Sequence, residues 1–212
     1  MLAWRLMGAG LLLLLSQPAV ANDEPPAPAT TDCRGIIPTA QNYEVHSLQA
    51  EDLVRLRDIG PPEGTSAGGG LISASPDGNK LAFQIRRADP VSNSYCLAMV
   101  VMDARPGASP TVVDQGGELI RYQYDNLWGM AGWPTGWPAD IVPRWSPDGK
   151  WIAFLKQQGP HVQVWRAKAD GSKSEAITRA PDDVVDFAWL DDESLMLATR
   201  PDNRRLLDDI ER

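Results

Sequence analysis

Ser75-Pro76-Asp77-Gly78-Asn79-Lys80-Leu81-Ala82-Phe83 returns as Ser146-Pro147-Asp148-Gly149-Lys150-Trp151-Ile152-Ala153-Phe154, and this repetition decides the fold. Each copy opens with a tight turn. Proline presets φ at the second position, aspartate bonds back to its own backbone, and glycine accepts a conformation that is costly for other residues. Each turn then runs into a short apolar strand, residues 80–85 in the first copy and 150–155 in the second. A repeat of this kind means that one supersecondary unit recurs in space, so the units must be counted before the strands.

Outward from the two turns the order of strands is the same. In the first copy residues 71–73 lead into the turn, and strands at 95–102 and 111–113 follow, separated by Arg105-Pro106-Gly107. In the second, residues 141–145 lead in, and 161–167 and 175–178 follow, with Asp170-Gly171 between them. A third, degenerate copy starts at Val184. Its Phe187-Ala188-Trp189-Leu190-Asp191-Asp192 aligns Trp189 with Trp145, and residues 195–199 replace the second strand. The two tryptophans lie about 44 residues apart, the length of one four-stranded propeller blade. Such a blade cannot bury both faces alone and must stack on the next. Phe83, Phe154, Trp145 and Trp189 are expected to fill the space between blades. The expected fold is all-β: an incomplete β-propeller of about two and a half four-stranded blades with a short N-terminal helix. The blades are expected at 68–115 and 141–180, with a half blade at 181–212. Propellers have about four to eight blades, so the array is expected to continue past Arg212, the alternative being a small propeller completed by other subunits.

Before the first blade, residues 1–21 read as a Sec-type signal peptide. Arg5 supplies the positive start, the apolar stretch 6–15 is too short to span a bilayer, and Ala19-Val20-Ala21 has the small residues that signal peptidase needs. Export to the periplasm and no stable membrane anchor are the expectations. Residues 22–35 form a Pro-rich tail, with Pro25, Pro26 and Pro28. Residues 36–67 hold the helix signal: Ser47 as N-cap, Leu48, Leu53, Leu56 and Ile59 as the apolar side, and Gly60-Pro61-Pro62 as the stop. The two cysteines, Cys33 and Cys96, have two readings. In an exported protein they can be bridged, stapling the tail to the first blade, or they can be two buried thiols.

The charge balance is acidic, 28 Asp and Glu against 20 Lys and Arg, a net −8. With no basic stripe, nucleic acid is not an expected partner. Residues 116–140 interrupt the blade pattern. They carry Tyr122, Tyr124, Trp128, Trp133 and Trp137, interleaved with glycine and proline. One reading makes these five aromatics a substrate-binding surface or a cover over the propeller mouth; the other packs them on a neighbouring blade or domain. Gly64-Thr65-Ser66-Ala67-Gly68 matches the G-x-S-x-G of hydrolase nucleophile elbows but lacks the strand before and the helix after, so a linker is the better reading. The acids Asp182, Asp183, Asp186, Asp191 and Asp192 lack calcium-loop order and read as solvated turns. No catalytic residue, no cofactor and no metal is expected in this chain.

The repeated turn-and-strand phrase resembles two related groups, the TolB-like propeller repeats and the N-terminal propeller of the prolyl oligopeptidase and dipeptidyl peptidase family. Residues 51–60 (EDLVRLRDIG), 84–90 (QIRRADP) and 93–96 (NSYC) make the chain most similar to the start of the lasso peptide isopeptidases within the second group. That resemblance implies a C-terminal α/β-hydrolase domain with a Ser-Asp-His triad, located outside this chain. It implies a threaded peptide as substrate and the isopeptide bond of its macrolactam ring as the bond cut. The propeller would recognise and gate that peptide and would be inactive alone. The alternative implied by the first group is a non-catalytic TolB-like module that binds a periplasmic protein partner.

Overall fold

The structure is a computed structural model and describes residues 31–38, 47–60, 70–124 and 133–200. The expected signal peptide, most of the Pro-rich tail, Trp128 and the Gly64–Gly68 motif lie outside these residues.

The repeated phrase folds twice in the same way. Gly78 N–H donates to the Ser75 carbonyl and Ser75 N–H to the Lys80 carbonyl, both at 2.8 Å. The Ser75 hydroxyl donates to Asp77 Oδ1 at 2.6 Å and accepts the Lys80 N–H at 2.9 Å. In the second copy Gly149 N–H meets the Ser146 carbonyl at 2.9 Å, and Ser146 N–H meets the Trp151 carbonyl at 2.8 Å. Its serine hydroxyl bridges in the same manner, to Asp148 Oδ1 at 2.7 Å and from the Trp151 N–H at 3.0 Å. Gly78 and Gly149 have φ of +73° and +70°, the left-handed region that a side chain disfavours. The third copy has Leu190 where the serine stands. Its turn closes one residue earlier, Leu190 N–H to the Ser194 carbonyl, and Asp191 accepts the N–H groups of Glu193 and Ser194 instead.

These turns organise an almost entirely β structure. One helix, α1 (Ala50–Val54), and a short strand β1 (Arg57–Asp58) come first. β2 (Ser73–Ala74), β3 (Lys80–Asp89), β4 (Ser94–Asp103) and β5 (Thr111–Gln115) follow. They form one antiparallel sheet in the order β1-β3-β4-β5, with β2 also paired to β3. β6 (Arg121–Tyr124) and β7 (Trp133–Pro138) make a separate hairpin. β8 (Arg144–Trp145), β9 (Trp151–Gln157), β10 (Val162–Lys168) and β11 (Ser174–Ala176) build a second sheet in the order β11-β10-β9-β8. β12 (Asp183–Trp189) pairs with β13 (Leu195–Arg200) as a third.

The three sheets stack as layers. Ala82, Met99, Val101 and Val113 of the first sheet pack on Trp145, Ile152 and Phe154 of the second. Ala153 and Val164 of the second pack on Val184 and Phe187 of the third. Equivalent positions thus face equivalent ways: Ala82 and Ala153 look forward along the chain, and Phe154 looks back. A polar contact repeats with the layers. Trp145 Nε1 donates to the Ser73 carbonyl at 3.1 Å, and Trp189 Nε1 donates to the Arg144 carbonyl at 2.9 Å. Ser73 and Arg144 hold the same place in their units, two residues before the turn, so each indole reaches back to one fixed position in the preceding sheet. Burying an aromatic body while satisfying its N–H fixes both the spacing and the register of adjacent layers.

The N-terminal segment departs from its expected form. The helix is five residues long, not an element running to Ile59, and its N-cap is Gln49, not Ser47. After it Arg57 and Asp58 pair with Arg87 and Arg86 of β3. The reason is tertiary: Arg57 donates to the carbonyls of Ile36 and Gly35, and Asp58 pairs with the nearly buried Arg86. Cys33 and Cys96 are bridged, with Cα atoms 5.2 Å apart. The bridge seats residues 31–38 on the outer face of the first sheet, where Ile36 is buried against Ile85, Ala98 and Val100. Arg87 donates to the Asp32 carbonyl beside it.

Candidate functional site

The alternation of strands gives the stacked sheets two rims of different chemistry. At one rim lie the tight turns after β2, β4, β8, β10 and β12. Gly149 stands against Pro76, and Asp148 N–H donates to Asp192 across adjacent layers, so these turns form one continuous polar edge. Asp77, Asp148, Asp170 and Asp191 each accept backbone N–H groups there. The acids expected to be solvated turns are thus individually engaged. Asp186 pairs with Arg144 at 2.7 Å, and Asp183 accepts the Val162 N–H at 2.8 Å. Among the described residues no group of three or more His, Cys, Asp or Glu is placed to hold a metal ion.

The opposite rim carries the interruption in the repeat. The chain leaves β5 through Gly116 and Gly117, bonds to the second sheet through Glu118 N–H and the Gln157 carbonyl at 2.8 Å, and rises into the β6–β7 hairpin. Ala139 N–H closes the stem on the Ile120 carbonyl at 2.8 Å. The pairing shifts between Arg121 and Gln123, so residues 135–137 bulge outward. Pro134 and Pro138 are tolerated because a two-stranded ribbon leaves edge positions that need no N–H donor.

Of the five aromatics expected to act together, Tyr122 and Tyr124 lie on β6, and Trp133 and Trp137 on β7. Tyr124 and Trp133 are cross-strand partners. Tyr122 is exposed, and Trp137, in the bulge, is 68% exposed. The hairpin stands beside a cleft of about 190 Å³ lined by Arg121, Tyr122, Gln123, Asp183, Val185 and Arg200. A second, wider cleft of about 710 Å³ lies on the other side of Arg121, between Asp89, Tyr95 and Glu118. Around it Ser92 donates to Asp89 at 2.7 Å, and this hydroxyl holds the aspartate below its ordinary pKa. This rim joins aromatic surface, two guanidinium groups and several carboxylates in an open groove. Such a surface suits an extended polar chain more than a small molecule, which needs an enclosed pocket. Arg121, Gln123 and Arg200 were not singled out from the sequence, and Asp183 was read there only as a solvated turn. Arg200 bonds Gln123 across a separation of 77 residues. The one local signal is that Arg121 and Gln123 alternate with Tyr122 and Tyr124 on a single strand.

His161 lies 3.5 Å from Asp183 on the same rim.

The chain is similar to part of a peptidase. No protein-family model matches the chain. Over 80% of its length it is 39% identical to lasso peptide isopeptidase AtxE2 of Asticcacaulis excentricus, a match that covers 24% of that protein. It is 23% identical over 59% of its length to the uncharacterized peptidase YuxL of Bacillus subtilis, 16% of which is covered. In three dimensions it matches the apo structure of AtxE2 isopeptidase with a TM-score of 0.72 and 38% identity, over 79% of this chain and 26% of that one. A variant of AtxE2 isopeptidase with Astexin3-dC4 bound matches with a TM-score of 0.67 and 40% identity, over 75% of this chain and 24% of that one. The similarity to the lasso peptide isopeptidases read from residues 51–60, 84–90 and 93–96 thus holds in sequence and in fold. The chain spans about a quarter of the length of that relative.

Proposed function

We propose that this chain is the β-propeller portion of an exported lasso peptide isopeptidase and that it recognises and admits the threaded peptide at the hairpin rim. The observation that carries the reading is the 39% identity to a lasso peptide isopeptidase across 80% of the chain. The layered sheets support the propeller. Each passes an indole N–H back to the same carbonyl position, a relation that can be repeated around an axis. The rim supports the peptide: Tyr122 in the groove and the exposed Trp137 beside it offer flat contact area, and Arg121 offers donors for main-chain carbonyls or a carboxylate.

Hydrolysis then falls to a hydrolase domain encoded beyond residue 212, in which a base-activated serine attacks the isopeptide carbonyl and backbone N–H groups hold the oxyanion. The role of the propeller is selection: an amide inside a threaded ring is reached only if the ring is presented in one orientation, and positioning of that kind is worth orders of magnitude in rate. The reading frame tests this. Past codon 212 it is expected to encode a strand, a G-x-S-x-G turn and a helix, followed by an acid and then a histidine. A stop codon followed by unrelated genes would overturn it.

A further inference from the structure

We propose that Lys156 and Asp114 form a buried ionic pin that positions the aromatic hairpin, so that two residues out of reach of any ligand set how well the rim binds its peptide. The inference rests on the functional reading above. Their side chains are 6% and 8% exposed. Lys156 Nζ donates to Asp114 Oδ2 at 2.7 Å and to the Gln115 carbonyl at 3.0 Å, and it stands 4.3 Å from the centre of the Trp165 ring. Asp114 Oδ1 accepts the Ser174 hydroxyl at 2.6 Å. The four side chains come from β5 of the first sheet and from β9, β10 and β11 of the second. The charges are therefore fully engaged, and they join two layers that are otherwise held by apolar packing and, two residues before the first turn, by the Trp145–Ser73 bond.

Such a pair adds little net stability over a well-packed apolar replacement, because desolvating two charges offsets their attraction. What it fixes is geometry, since both partners hold their bonds in one arrangement only. That arrangement lies directly under the root of the hairpin. Gly116 and Gly117 follow Asp114 within three residues, both with positive φ. A Cβ on Gly117 would lie 3.0 Å from Lys156 Cγ and from the Gln157 carbonyl oxygen, so the backbone crosses in contact with the lysine stem. The next residue, Glu118, bonds Gln157, the neighbour of Lys156. A shift of Lys156 therefore moves the first residues of the stem, and with them Arg121 and Tyr122. Both ions act through the hairpin and are positioning residues.

The test uses the full gene product and measures Kd and KM for lasso peptides, with Astexin3-dC4 as the first probe. The double variant Asp114→Leu/Lys156→Met replaces the pair by apolar side chains and is expected to keep its melting temperature while Kd rises about tenfold and kcat holds. Ser174→Ala keeps both charges and removes one bond to Asp114; a rise of about twofold to threefold is expected. Trp137→Ala, on the rim itself, reports on the functional reading. If Trp137→Ala weakens binding but the double variant and Ser174→Ala bind like wild type, the pin is overturned and the reading stands. If Trp137→Ala leaves Kd unchanged, the reading of the rim fails. A double variant that loses melting temperature without any change in Kd gives the pair a structural role only and also overturns the proposal.

Discussion

Asp77 and Asp148 show how one residue can set a local structure twice. Each accepts a serine hydroxyl and a backbone N–H inside its own turn. For Asp77 the Ser75 hydroxyl is the main cause of a pKa drawn down to about 2, helped by Asn79. For Asp148 the Lys150 ammonium leads, then Ser146, and the value is again about 2. Both stand below the unfolded value of 3.8, so the folded state binds fewer protons than the unfolded chain between those limits. The stabilisation is complete above about pH 4 and is lost as the pH falls toward about 2. A series of melting temperatures from about pH 5 to pH 2 is expected to fall through this window, and to fall less steeply in Asp77→Asn/Asp148→Asn. Equal slopes would place the acid sensitivity elsewhere. These turns were legible in the sequence because the bonds that close each of them lie within five residues. Arg57 was not: its partners are the carbonyls of Gly35 and Ile36, more than 20 residues away, and that distant demand ends the helix and makes a strand of Arg57-Asp58.

Strands were easier to read than the helix because short apolar runs next to turn signals, such as 96–101 in β4, mark strands buried on both faces, whereas α1 has only five residues and buries none of them. The strands at β3 and β9 run further than their apolar cores suggest. Arg86 and Arg87 continue β3 with their charged ends bonded to Asp58 and to the strap at 31–38, and Lys156 continues β9 with its ammonium on Asp114. Trp145 and Trp189 were legible as packing residues, but their N–H groups were not, since the carbonyls they reach belong to the preceding sheet. That bond yields an element-scale prediction. Trp189→Phe keeps most of the ring and removes one donor, and about 1 kcal/mol of stability is expected to go. Trp145→Phe, at a more buried site, is expected to cost about 1–2 kcal/mol. Urea midpoints of the two variants and of their combination measure this. Because the two bonds join different pairs of layers, the losses are expected to add. A combined variant no weaker than either single one would mean that the layers are not held by separate contacts of the same kind.

At the scale of the whole molecule, the repetition makes the two rims different. One rim is spent on turns that satisfy themselves. Among the described residues the other is interrupted by 116–124 and 133–140, and there the hairpin, Arg121, Asp183 and Arg200 converge. The interruption was legible as a departure from the repeat. The cleft beside it was not, because its walls come from β6, from β12 and β13, and from Leu155 and Val162 of the second sheet, which are far apart along the chain. Under the proposed function this rim selects a lasso peptide for a hydrolase domain. The most direct measurement is mass spectrometry of a lasso peptide incubated with the full gene product and, separately, with the protein carrying Trp137→Ala. The wild type is expected to open the ring, with the peptide gaining the mass of one water. The variant is expected to do so with KM raised about tenfold and kcat little changed. A peptide left intact by the wild type, or opened with equal KM by both, would contradict the account.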